Sequence, residues 1–219
     1  MSRRLLLVDS DIFILLSAAG MLEKMANLLG LPLSDVRRLD ALPHQLQRGR
    51  RFLQKYSEDA TKQALSDCKK VPSIEERPAD VDLEELKDIE DIEFGDAVLL
   101  ALTAGHPAYL LASGDKRALR AVGRSPGLAR LRGQLTGRII CLERALAMLA
   151  EELGLAHVAR AFTPLAEANA TLRIIFTAGE ATAQAHFDQA IASHLHDLEK
   201  DVGPDFLIRC EGGGHNRPK

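Results

Sequence analysis

Three aspartates stand at positions from which their carboxylates could share one metal ion. Asp9 ends an apolar run, Asp96 opens an apolar stretch, and Asp115 follows a third apolar run through a Ser-Gly turn. If these runs form parallel strands and buried helices, the three carboxylates meet at one edge of one sheet. Clustered carboxylates repel one another, so they stay ionised together only when a cation lies between them. The spacing therefore predicts a site for a divalent metal that prefers oxygen ligands.

Each aspartate taken alone has a simpler explanation. Aspartate is a favoured N-cap, and each of the three could do no more than cap a helix. All three, however, stand at strand-to-helix or loop-to-helix junctions, which favours a shared site. Capping needs only one carboxylate oxygen, so capping and metal binding are compatible.

Short apolar runs that alternate with helical patterns predict an α/β fold with a parallel sheet. Residues 5–8 form an apolar run without alternation, which is typical of a strand covered on both faces. Residues 108–112 and 138–142 are predicted to be further strands. We expect the sheet domain to occupy residues 1–142. Residues 143–219 are predicted to form a helical extension that ends in a disordered tail.

Charge is distributed unevenly, although the net charge is only −3. Residues 75–96 carry eleven acidic side chains against Arg77 and Lys87, whereas residues 116–142 carry seven cations and no acid. A stretch without acids attracts anions. Two interpretations remain open. The basic stretch could be a solvated face paired with the acidic stretch, or it could face the phosphates of a ligand.

Composition excludes several classes of protein. The 219 residues are 46% hydrophobic, enough to bury a sizeable core. Cys68, Cys141 and Cys210 are widely spaced and form no CxxC motif, which argues against a disulfide framework and a structural zinc site. No segment approaches the ~20 apolar residues that cross a bilayer, and the apolar run before Asp9 is too short for a signal peptide. We expect a soluble, cytoplasmic protein without membrane contact.

Three motifs resemble those of PIN domains. Residues 8–14 (VDSDIFI) look like the opening strand of that family, in which an aspartate precedes a small hydroxylated residue and then Asn or Asp. Residues 95–101 (GDAVLLA) are similar to its third acidic motif, an aspartate that leads an alanine-rich buried helix. Residues 110–117 (LLASGDKR) resemble its fourth motif, a strand that ends in Thr/Ser-x-Asp and a basic residue. The resemblance covers roughly residues 4–142 and implies a PIN-like, three-layer domain.

The resemblance implies a metal-dependent ribonuclease, and many bacterial members of the family are the toxin of a toxin–antitoxin pair. Asp9, Asp96 and Asp115 would then bind Mg²⁺ or Mn²⁺, which activates water for phosphodiester hydrolysis. RNA is the expected partner, together with an antitoxin or another protein, and a homodimer is possible. The basic residues expected to contact the substrate phosphates are Lys116, Arg117 and Arg120.

The chain departs from the family pattern at a further acid, often a glutamate, that usually lies between the first and third motifs. Alignment by eye places His44 or Gln45 near that position. The acidic candidates by position are Asp40, Glu58, Asp59 and Asp67. We select Glu93 as a catalytic residue, because a loop residue three places before Asp96 could fold back towards the site.

Two alternatives remain. The first is a phosphatase resembling the haloacid dehalogenase superfamily, whose nucleophile and acid pair Asp9 and Asp11 would match. In that family, however, the serine or threonine motif precedes the metal motif, whereas here Gly95-Asp96 precedes Ser113. The second is a non-catalytic PIN-like module that binds RNA or protein.

Overall fold

A parallel sheet of four strands lies at the centre of the protein, as seen in a computed structural model that describes residues 3–209. The strands are β1 (Leu5–Val8), β2 (Val36–Arg38), β3 (Tyr109–Ala112) and β4 (Ile139–Ile140). Their order across the sheet is β2-β1-β3-β4, and every neighbouring pair is parallel. The predicted α/β class and parallel sheet are therefore confirmed.

The central strands are covered on both faces. All four residues of β1 and all four of β3 are buried. Because successive side chains of a strand point to opposite faces, full burial requires a layer of structure on each side of the sheet. This is why both segments are uninterrupted apolar runs in the sequence.

Strand β2 was not anticipated from the sequence. It is only three residues long, and two of the three are arginines, so it lacks an apolar run. Its pairing with β1 and the burial of Val36 place it in the sheet. The Arg38 guanidinium is also buried, and it donates to the carbonyl of Cys68 at 3.1 Å.

Seven α-helices precede the third strand within the described residues. They are α1 (Ser10–Ala18), α2 (Leu22–Leu28), α3 (Leu42–Arg48), α4 (Arg50–Lys55), α5 (Glu58–Cys68), α6 (Asp80–Lys87) and α7 (Phe94–Gly105). Helix α1 begins directly after Asp9 and packs on α5. Helix α7 is apolar on most sides and packs against β1, β3 and α6, as expected of a buried helix.

The later helices are α8 (Lys116–Arg124), α9 (Ala129–Leu135), α10 (Leu142–Leu153), α11 (Leu155–Phe162), α12 (Ala170–Ile175) and α13 (Gln184–Val202). Helix α13 packs along α8, and Leu207 bridges to Ile139 of β4. Buried side chains on both sides of position 142 belong to one cluster. The predicted disordered tail and Cys210 lie outside the described residues, within which Cys68 and Cys141 are buried, free thiols. None of the helices described combines the length and hydropathy needed to cross a bilayer.

The strand order creates a crevice next to β1. The chain passes from β1 to β2 on one side, and then returns to add β3 on the other side of β1. Open parallel sheets bind ligands beyond the carboxyl ends of the strands at such a switch point. The carboxyl ends of β1 and β3 are in register here, with Val8 opposite Ala112.

Candidate functional site

Asp9 follows the last residue of β1 and is fixed at the switch point from two directions. Its backbone N–H donates to the Ala112 carbonyl of β3 at 2.9 Å. Its carboxylate accepts from the backbone N–H of Gly114 at 3.1 Å and, more weakly, from that of Asp11 at 3.4 Å. The side chain therefore caps α1 and also links the first turn after β1 to the turn after β3.

Asp115 caps the next helix along this edge. Its Oδ1 accepts from the backbone N–H groups of Arg117 at 2.8 Å and Ala118 at 3.2 Å, at the start of α8. Asp96 differs from the other two, because it is the third residue of α7, whose N-cap position is held by Glu93. The capping interpretation thus applies to Asp9 and Asp115, while Asp96 has no capping role.

All three aspartates line one cleft of about 580 Å³ at the carboxyl edge of the sheet. Asp9 and Asp115 come from the turns after β1 and β3, and Asp96 comes from the first turn of α7. Glu93, selected from the sequence, also lines the cleft. The remaining lining residues are Ser10, Asp11, Leu39, Gln45, Phe52, Gly95, Gly114, Lys116 and Arg117.

The aspartates of the cleft repel one another. Burial, then the charge of Asp11, raises the pKa of Asp9 from 3.8 to about 6. Burial, then the charges of Asp9 and Asp115, raises the pKa of Asp96 to about 7. Ionising both groups near neutral pH is thus unfavourable, and a bound cation would reverse this because it favours the charged forms.

The carboxylates do not form a closed coordination shell. Among residues 3–209, no group of three or more His, Cys, Asp or Glu side chains is arranged so that it could hold a metal ion as it stands. The donor chemistry does fit Mg²⁺ or Mn²⁺, because the ionisable side chains of the cleft that could ligate a cation are all carboxylates. Magnesium commonly binds through one or two carboxylates and keeps several waters, so it does not need a complete protein shell.

Lys116, one of the three cations expected to contact phosphate, lines the cleft but is already paired. Its Nζ lies 2.5 Å from the carboxylate of Glu143, which is only 1% exposed. Arg117 also lines the cleft, and its side chain is 61% exposed, with Nη2 3.4 Å from Oδ2 of Asp115. Arg117 is therefore the best placed of the three to contact a ligand.

Arg120, the third of these cations, lies on the neighbouring face of α8. It pairs there with Asp197 and Asp201 of α13. Arg130 pairs with Asp82 and Glu85 of the acidic stretch, as the first interpretation expects. The partners of Arg120 lie outside that stretch.

Asp11 has partners of its own. Its carboxylate accepts from Lys55 Nζ at 2.5 Å and from the Tyr56 hydroxyl at 2.9 Å, at the end of α4. These contacts tie α4 to the first turn of α1, beside Asp9. No periodic pattern in the sequence predicts this link, because the residues are more than forty positions apart.

Gln45 lines the cleft. It is one of the two residues that the resemblance to PIN domains places near a further acid. Among the acidic candidates for that role, Glu58 pairs with Lys62 and Asp67 pairs with Lys70. Within the part of the chain that the structure describes, Asp40, Glu58, Asp59 and Asp67 are not part of the cleft lining. The acids that line the cleft besides the three aspartates are Asp11 and Glu93.

Comparison of the chain with protein-family models, with curated proteins and with solved structures gives no match. The similarity to PIN domains accordingly rests on the three motifs and stays a prediction.

Proposed function

We propose that the chain is a metal-dependent endoribonuclease whose cation is held by Asp9, Asp96 and Asp115. The observation that supports this most is the meeting of the three carboxylates in one cleft at the switch point of a parallel sheet. Two of them have pKa values raised by burial and by mutual repulsion. The reaction class comes from the resemblance of the three motifs to those of nucleases.

The proposal assigns roles to the metal, to the backbone groups beside the carboxylates and to Arg117. A bound Mg²⁺ or Mn²⁺ would supply a hydroxide nucleophile and stabilise the leaving oxygen. The backbone N–H groups of Gly114 and Ala118 hold the carboxylates of Asp9 and Asp115 in place. Arg117 would contact a substrate phosphate, since its guanidinium is exposed and suits bidentate phosphate contacts.

An RNA cleavage assay with Mn²⁺ or Mg²⁺ tests the proposal. We expect Asp9→Asn and Asp96→Asn each to lower the rate about a hundredfold or more, because several kcal/mol of metal-derived stabilisation would be lost. Asp188→Asn is the matched control, since this aspartate is exposed on α13 and accepts from Gln184 of its own helix. Circular dichroism verifies that each variant is folded.

The same assay separates the alternatives. Equal cleavage by the wild type and both cleft variants would refute the metal site. Release of phosphate from small esters without RNA cleavage would favour the phosphatase interpretation. That alternative has less support, because Asp11, its general acid, is tied to Lys55 and Tyr56. RNA binding without cleavage would favour the non-catalytic module.

A further inference from the structure

An aromatic side chain lies in a cleft whose lining is otherwise mostly polar. Among the described side chains that line it, only Leu39 and Phe52 are purely hydrocarbon. Phe52 lies on α4, is partly buried and packs in part against the hydrophobic core. The rest of its ring contributes to the wall of the cleft that also contains the three aspartates.

The Phe52 ring is held in a defined orientation. It is nearly parallel to the Tyr56 ring, with an interplanar angle of 21° and centroids 6.3 Å apart. The Tyr56 hydroxyl donates to Asp11 at 2.9 Å, and Lys55 Nζ lies 5.1 Å from the Tyr56 ring centroid. Asp11 is two residues from Asp9. These contacts therefore link the aromatic side chains of Phe52 and Tyr56 to the segment that carries Asp9.

The cleft also contains an exposed cation. Arg117 lines it with a side chain that is 61% exposed. A phosphate of a nucleic acid would be attracted to this guanidinium. The base next to that phosphate would then lie in the cleft that also contains Phe52.

We propose that Phe52 is a specificity-determining residue that stacks on a nucleobase next to the phosphate at the carboxylates. This rests on the proposed function in so far as the ligand is a nucleic acid. Stacking on an aromatic ring contributes roughly 1–3 kcal/mol per base and tolerates any base, since every base has a π-face. Phe52 thus distinguishes a nucleotide chain from a simple phosphate ester.

The test measures binding of short RNA that carries one 2-aminopurine, with Ca²⁺ in place of Mg²⁺ or Mn²⁺, and electrophoresis verifies that the RNA stays intact. Quenching of the 2-aminopurine reports stacking, and an RNA with an abasic site at the same position serves as reference. Wild type is compared with Phe52→Leu and with the conservative variant Phe52→Tyr. Phe94→Leu is the matched control, because Phe94 is 72% exposed and is not part of the cleft lining that the structure describes.

Phe52→Leu is expected to weaken binding of the base-bearing RNA about tenfold and to abolish quenching. Phe52→Tyr and Phe94→Leu should resemble wild type, and the abasic RNA should bind wild type and Phe52→Leu alike. Equal weakening of both RNAs by Phe52→Leu, or no weakening at all, would overturn the proposal. Absence of RNA binding by wild type would overturn it as well.

Parallel cleavage assays with Mn²⁺ keep the two proposals apart. Quenching that depends on Phe52, in a protein that does not cleave RNA, would support the stacking role and contradict the nuclease. Cleavage with unchanged KM in Phe52→Leu would support the nuclease and contradict the stacking role.

Discussion

Two charged regions of this protein lie within a few helical turns of each other, and they differ in how their charges are balanced. At the α8–α13 interface, formed by Arg120 and Arg124 with Asp197 and Asp201, the opposite charges are equal in number. Arg124 binds Asp201 through two contacts of 2.9 and 3.0 Å. In the cleft, carboxylates outnumber cations, and no described cation lies within ion-pair distance of Asp9 or Asp96.

The difference indicates which charges serve the fold and which are available to a ligand. Two cations near the cleft are engaged with other acids, Lys116 with Glu143 and Lys55 with Asp11. The interface lowers the free energy of the folded state, whereas ionised carboxylates in the cleft raise it. Carboxylates without a described cation in ion-pair distance, as Asp9 and Asp96 are here, are a feature of functional sites, where stability is given up for binding.

A substitution that separates α8 from α13 should have the largest effect on stability. Gly123 lies where α8 meets α13, and a Cβ added there would sit 2.3 Å from the carbonyl oxygen of Asp201. Since this contact is with backbone, the helices must separate, and we expect Gly123→Ala to lower the free energy of unfolding by about 3 kcal/mol. Denaturant unfolding measures the change.

Gly133→Ala is the control for this prediction. Gly133 lies in α9 with no heavy atom within 4 Å of an added Cβ, so the substitution should be neutral or stabilising by about 0.5–1 kcal/mol. A Gly123→Ala protein as stable as wild type would show that α13 does not pack tightly on α8.

The pH dependence of stability should have opposite signs in the two regions. The raised pKa of Asp96 means that between about pH 4 and 7 the folded state keeps a proton that the unfolded chain has released. Stability of the metal-free protein should fall as pH rises through this range. Asp96→Asn should therefore be more stable than wild type at pH 8, by on the order of 2 kcal/mol, with the difference vanishing below pH 4.

Asp201 provides the opposite case. Its hydrogen bond with Arg124 lowers its pKa, so its stabilising contribution is present at neutral pH and disappears on acidification through that lowered pKa. Asp201→Asn should be less stable than wild type at pH 8 and should converge with it in acid. Thermal unfolding measured across this pH range tests both variants. If both differ from wild type in stability with the same sign at pH 8, the contrast between the two regions is contradicted.

The smallest expected effect concerns RNA binding by the cations of α8. Arg117→Ala should weaken binding and reduce the slope of log K against log salt by about 1, because one phosphate contact is lost. Arg124→Ala should leave the slope unchanged, since its guanidinium is bound to Asp201. Equal slopes for wild type and Arg117→Ala would show that Arg117 makes no contact with a phosphate.

The sequence revealed most of the features that depend on local pattern. The strand residues 5–8 and 109–112 are apolar because both faces of the sheet are covered, so β1 and β3 could be predicted together with the aspartates after them. Strand β2 could not, because an edge segment of three residues with two arginines has no distinguishing pattern. The ion pairs of Arg120 with α13 could not be predicted either, since its partners are 77 and 81 positions away.

The candidate site was predictable to a similar degree. The positions of Asp9 and Asp115 follow from strand ends, and Asp96 from the start of a buried helix. The roles of Phe52, Tyr56 and Asp11 depend on how α4 folds over the cleft, which no short-range pattern specifies.

Calorimetric titration with Mn²⁺ at pH 6.5, in two buffers of different ionisation enthalpy, tests the central account most directly. If a cation is shared by Asp9, Asp96 and Asp115, wild type should bind Mn²⁺ and release protons on binding, because partly protonated carboxylates must ionise. Asp9→Asn and Asp96→Asn should lose most of the affinity, while Asp188→Asn should retain it. Binding of equal strength in all four proteins, or no binding by wild type, would contradict the account.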